Sequence, residues 1–90
     1  MTAVALRISG DLASRSAEHW ICHRACLLSL EGWVRRENDN LITVVLKGPE
    51  PLIDAMEVAC SLGPGDVLVD AISRQEHHNA SVPSGFQIAQ

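Results

Sequence analysis

Two helical stripes, each following an apolar run, with a hairpin between them, constrain this chain more than any other feature. Val4, Leu6 and Ile8 alternate with Ala5, Arg7 and Ser9. A period of two predicts a strand with one buried face, closed by Gly10. A polar loop over residues 11–16 follows, in which Ser14 or Ser16 can cap the next helix. Ile21, Ala25 and Leu28, with Cys22 beside them, then predict a helix over about residues 17–29. Residues 30–37 and 40–47 carry Trp33, Val34, Ile42, Val44, Val45 and Leu46. Glu37, Asn38, Asp39 and Asn40 separate them, and Asn and Asp tolerate the backbone angles of a hairpin turn.

Gly48, Pro49, Glu50 and Pro51 open the second helix, where proline suits the first turn. Its predicted stripe is Leu52, Ala55 or Met56, Ala59 and Leu62, stopped by Gly63, Pro64 and Gly65. Residues 67–72 predict a strand and residues 85–88 a short last one. Residues 74–84, polar and containing Pro83, are the least constrained. The order strand, helix, strand, strand, helix, strand defines an α+β ferredoxin-like sandwich (βαββαβ). Its antiparallel sheet carries both helices on one face, as a single domain over residues 1–90, with a terminal fifth strand or extension. That fold hosts many functions and selects none.

Ninety residues should fold to roughly 5,100 Å² of surface from about 14,000 Å² unfolded, enough for one core. The net charge is −4 and the seven Lys and Arg are scattered. Nucleic-acid binding, which needs a basic face, is not expected. Residues 1–7 lack a charged start and apolar run, so no secretory leader is expected. No stretch approaches the roughly 20 apolar residues of a membrane span, so no membrane association is expected. Three cysteines without framework spacing point to a reducing compartment, hence a cytoplasmic location.

Leu30, Glu31, Gly32, Trp33, Val34 and Arg35 resemble the Gly-Trp-Val segment of the acylphosphatase family. More of that pattern follows in register. Gly48, Pro49 and Glu50 resemble its second-helix start, and Gly63, Pro64, Val67 and Val69 the approach to its fourth strand. Gly10 sits where its phosphate loop begins, Ala25 and Leu28 at its first-helix positions, and Phe86 and Ile88 on its closing strand.

The resemblance implies hydrolysis of carboxyl-phosphate anhydrides without a metal or other cofactor. In the family, backbone N–H groups of a loop and an Arg at the first helix hold the phosphate, and an Asn orients water. The register makes Gly10, Asp11, Leu12, Ala13, Ser14, Arg15, Ser16 and Ala17 the candidate anion-binding loop. It places Glu18 on the family's Arg and Arg36 on its Asn. A lone carboxylate about 5 Å from a phosphate repels it by roughly 3 kcal/mol at an effective dielectric near 20. The expectation is therefore a domain that has lost acyl-phosphate hydrolysis and acts as a binding or structural module, with Arg36 paired to Glu18. One alternative is a weak or altered acylphosphatase in which Arg15 or Arg36 and Asn38 take over. Another is a small-ligand regulatory module.

His19, Cys22, His23 and Cys26 have helical spacing, but one straight helix cannot surround a tetrahedral ion, so no metal site is expected. Cysteine–histidine catalysis by the same residues lacks an orienting third group. Trp20, His23 and Leu27 are expected to share an outward face, a candidate surface for self-association or a protein partner. Cys60 reads as a small core residue. His77 and His78 fall in the polar segment, and Asn79, Ala80 and Ser81 match a glycosylation acceptor in form only.

Overall fold

The computed structural model describes residues 2–13, 16–63, 67–76 and 85–89. Ser14, Arg15, Pro64, Gly65, His77, His78, Asn79 and Pro83 lie outside the described residues. The elements are β1 (Thr2–Asp11), α1 (Ser16–Leu27), β2 (Glu31–Asn38), β3 (Leu41–Gly48), α2 (Glu50–Leu62), β4 (Leu68–Glu76) and β5 (Phe86–Ala89). They form one sheet in the order β4-β1-β3-β2-β5.

β1 runs antiparallel to both β3 and β4, and β2 antiparallel to β3. β5 pairs with β2 in parallel, Gly32 opposite Phe86 and Val34 opposite Ile88. The four strands of the βαββαβ order are antiparallel as expected, and the terminal fifth strand, added in parallel, makes the sheet mixed. The reason is directional: β5 reverses β4, and β2 already runs that way.

Alternation on β1, β2 and β3 sends Val4, Leu6, Ile8, Val34, Ile42, Val44 and Leu46 to one face. There they meet Ile21 and Ala25 of α1 and Ile53, Met56 and Cys60 of α2. Of the predicted stripe Met56 is buried, whereas Ile53 and Cys60 take the places expected for Leu52 and Ala59, and Leu62 is 79% exposed. Two interleaved apolar series differ by about 100° of rotation, and packing selects the one that fits the sheet. The accessible surface is 5070 Å², in line with the size expected for such a mass.

Two local features hold this arrangement. Gly32 has φ 141°, and a Cβ there would lie 1.8 Å from the Val45 carbonyl oxygen, so only glycine fits. Arg74, expected in the least constrained segment, is instead part of β4, opposite Leu6 on the helix-bearing face. It pairs with Asp54 at 2.7 Å and Glu57 at 3.0 Å on α2. Hydrogen bonding to Asp54, then Glu57, raises its pKa further above the ordinary arginine value.

Candidate active site

Gly32, Val34 and Arg36 share one side of β2, because strand side chains alternate. Val34 is fully buried beneath the helices, so Arg36 emerges two residues on under the first turn of α1. Glu18 occupies that turn, where the positive end of the helix dipole favours a carboxylate. Arg36 Nη2 donates to Glu18 Oε1 at 2.5 Å and Arg36 Nε donates to the same oxygen at 3.1 Å. Both side chains are only 12% exposed. Arg36 Nη1 donates to the Leu12 carbonyl and, at 3.4 Å, to the Asn38 carbonyl. One guanidinium therefore joins helix, loop and hairpin turn.

The turn is also stapled to β1. Asn38 Oδ1 accepts from the Asn40 N–H at 2.7 Å, an Asx turn. Asn40 Nδ2 donates to the Gly10 carbonyl at 3.0 Å. The Gly10 N–H donates to the Asn40 carbonyl at 3.1 Å, and the Leu12 N–H to the Asp39 carbonyl at 3.0 Å. Gly10 is required at this crossing: its φ is 155° and a Cβ would lie 2.0 Å from the Leu68 carbonyl oxygen.

These contacts engage one end of the expected anion-binding loop, of which Ser14 and Arg15 lie outside the described residues. Gly10 and Asp11 end β1, and their neighbour Leu12 is buried in the core. The N–H groups of Gly10 and Leu12 are engaged by the turn rather than turned toward an anion. Ala13 is exposed, Ser16 opens α1 and Ala17 is buried against the core.

Beside the ion pair lies a cleft of about 580 Å³ lined by Glu18, His19, Arg36, Glu37, Asn38, Ile88 and Ala89. His19, Glu37, Ile88 and Ala89 line the cleft without a motif that marks them in the sequence. His19 follows from its place beside Glu18 on α1. Ile88 and Ala89 arrive through the parallel β2–β5 pairing, which leaves no local signal. Asn40 was legible only as a turn residue, although its amide fastens the turn to Gly10.

Elsewhere on α1, Trp20 does not stand on an outward face as expected. It packs partly against the core, with the Arg24 guanidinium 5.4 Å from its ring centre. A side chain this long, one residue from Ile21, reaches back to the apolar stripe. His23 is exposed and Leu27 is 65% exposed. Among the described residues, no three His, Cys, Asp or Glu side chains group as a metal site would require. Burial raises the Cys22 pKa, with Cys26 adding to it, and burial pushes Cys60 to about 12. No helix among the described residues is long and apolar enough to cross a membrane.

The β-sheet with two helices on one face is an α+β sandwich of the ferredoxin type, and the comparisons narrow it. The acylphosphatase family model matches residues 5–88. An acylphosphatase of Rhizobium meliloti (strain 1021) is 31% identical over 86 residues, covering 96% of this chain and 90% of that protein. One from Rhodospirillum rubrum is 36% identical over 70 residues, covering 78% and 77% respectively. The crystal structure of acylphosphatase from Bacillus subtilis has the same fold, with a TM-score of 0.92, 21% identity and 100% of both chains covered. The chain belongs to the acylphosphatase family.

The expectation of a domain that has lost hydrolysis and serves as a binding or structural module is corrected by these relatives. They carry the name of the enzyme and match 96% and 78% of the chain. The repulsion of roughly 3 kcal/mol belongs to a carboxylate taken alone, whereas the expected pairing of Arg36 with Glu18 is present. The pair is neutral, and the repulsion is largely offset by an attraction of similar size.

Proposed function

We propose that the chain is an acylphosphatase with an altered site, hydrolysing carboxyl-phosphate anhydrides to a carboxylate and inorganic phosphate. The family membership supports the reaction class. The observation that carries the site assignment is Arg36, a guanidinium held at the first turn of α1 and bordering the cleft. The phosphoryl group binds between Arg36 and the first N–H groups of α1, which a helix leaves without intrahelical partners. Ile88 and Ala89, which also line the cleft, face the acyl group.

Water attacks phosphorus, the bond from phosphorus to the acyl oxygen breaks, and a carboxylate departs. With a conjugate acid of pKa near 4, it leaves without needing a proton. The attacking water passes its proton to solvent as phosphate forms. Positioning and charge stabilisation then supply the catalysis, with Arg36 on the equatorial oxygens and the Asn38 amide orienting water. Glu18 competes with the phosphate for Arg36, so turnover is slower than with an unopposed arginine.

Benzoyl phosphate hydrolysis in the presence of EDTA tests this. Turnover above the uncatalysed rate is expected, saturable and inhibited by inorganic phosphate. A rate equal to the buffer blank refutes the proposal.

A further inference from the structure

The face of the sheet opposite the helices carries a second constellation that the cleft does not use. Arg7 on β1 and Arg35 on β2 are both in register with Thr43 on β3. Directly paired residues on neighbouring strands point to the same face. Strands lie about 4.8 Å apart, so the two arginines flank Thr43 from either side, with their Cα atoms separated by about twice that spacing. Both guanidiniums can reach one group placed above Thr43.

Thr43 is the anomaly. It is only 7% exposed, and its Oγ1 is a buried side-chain atom without a hydrogen-bond partner. Such hydroxyls are ordinarily satisfied, and one left unpaired asks for an explanation. The Arg35 guanidinium lies 5.1 Å from the Trp33 ring centre and its Nε bonds Glu37 at 2.6 Å, which leaves its two Nη groups for an anion. Arg7 is exposed and makes no hydrogen bond or ion pair among the described residues. Arg7, Arg35 and Glu37 together leave this patch one positive charge in a chain of net charge −4.

We infer that Arg7, Thr43 and Arg35 form a second anion site, for a phosphate group, on the open face of the sheet. The two forks take the oxygens from opposite sides, as arginine does with tetrahedral oxyanions. Thr43 Oγ1 is closed to solvent in the free protein; entry of the anion uncovers it, and the hydroxyl then donates to a third oxygen and acquires its missing partner. The group is either free phosphate or the phosphoryl end of a small organic phosphate. This site is independent of the proposed hydrolysis, since Arg36 lies on the other face.

The test is a titration of the full chain with inorganic phosphate, and separately with phenyl phosphate, followed by amide chemical shifts. Saturable shifts are expected around Arg7, Thr43 and Arg35, apart from any at the cleft. Arg7→Gln should weaken that binding by about tenfold, or 1.4 kcal/mol, and Thr43→Val should weaken it while leaving the chain folded. Arg36→Gln should leave it unchanged. Equal affinities would assign the site to the phosphate group alone, and tighter phenyl phosphate to an organic phosphate. Absence of shifts on the open face, or shifts untouched by Arg7→Gln, would overturn the inference.

Discussion

Arg36 grips Glu18 through two nitrogens, Nε at 3.1 Å and Nη2 at 2.5 Å, both on the same carboxylate oxygen. With both side chains 12% exposed, the pair is buried enough that losing one partner strands the other. Arg36→Gln and Glu18→Leu should each destabilise the fold by about 2–3 kcal/mol, while Glu18→Leu with Arg36→Met should cost far less. A double-mutant cycle in urea reads the coupling directly. Additive single effects would mean the pair contributes no coupling.

Arg74 fastens α2 to β4 through Asp54 and Glu57, with Glu50 further off at 3.7 Å. Its removal leaves acidic side chains along one side of α2 without their cation. Arg74→Ala should lower stability by about 1 kcal/mol at low salt. Because the cluster is partly solvated, about 1 M salt should narrow the difference. Thermal melts of both proteins at two salt concentrations check it.

Cys60 supplies a pH dependence. Burial raises its folded pKa from 9.0 to about 12. Its contribution is fully present below pH 9 and is lost as pH rises toward 12, because the unfolded chain releases the proton first. Stability should fall in that window by up to about 1.4 kcal/mol per pH unit, a slope that Cys60→Ala removes. Thiol labelling at pH 8 should modify exposed Cys26 first, Cys22 more slowly, and Cys60 only on unfolding.

Gly32→Ala meets the Val45 carbonyl at 1.8 Å, and neither backbone can yield without breaking the β2–β3 ladder. A loss above about 3 kcal/mol is expected, enough to remove most of the folded signal in circular dichroism at 37 °C.

Much of this was legible in the chain. The turn at residues 38–40 follows from Asn and Asp between two apolar runs. The meeting of Glu18 with Arg36 follows from register within the family pattern. What was not legible depends on packing between distant elements. α2 carries two apolar series, and only contact with the sheet chooses Ile53, Met56 and Cys60. Trp20 reaches the core because its ring is long, which periodicity does not register. The parallel placement of β5, and with it Ile88 and Ala89 beside the cleft, is set by the direction of β4. Arg74 looked like part of a polar segment until its register opposite Leu6 placed it under α2.

The central claim is that Arg36 is the phosphate-binding cation and Glu18 its competitor. The most direct measurement is kcat/KM for benzoyl phosphate with the native chain, Glu18→Gln and Arg36→Gln, each first shown folded by near-ultraviolet dichroism. Releasing Arg36 from a carboxylate should raise kcat/KM about tenfold in Glu18→Gln, and Arg36→Gln should lower it by about a hundredfold. Native activity that survives Arg36→Gln, or a fall in Glu18→Gln as large as that in Arg36→Gln, would contradict the account.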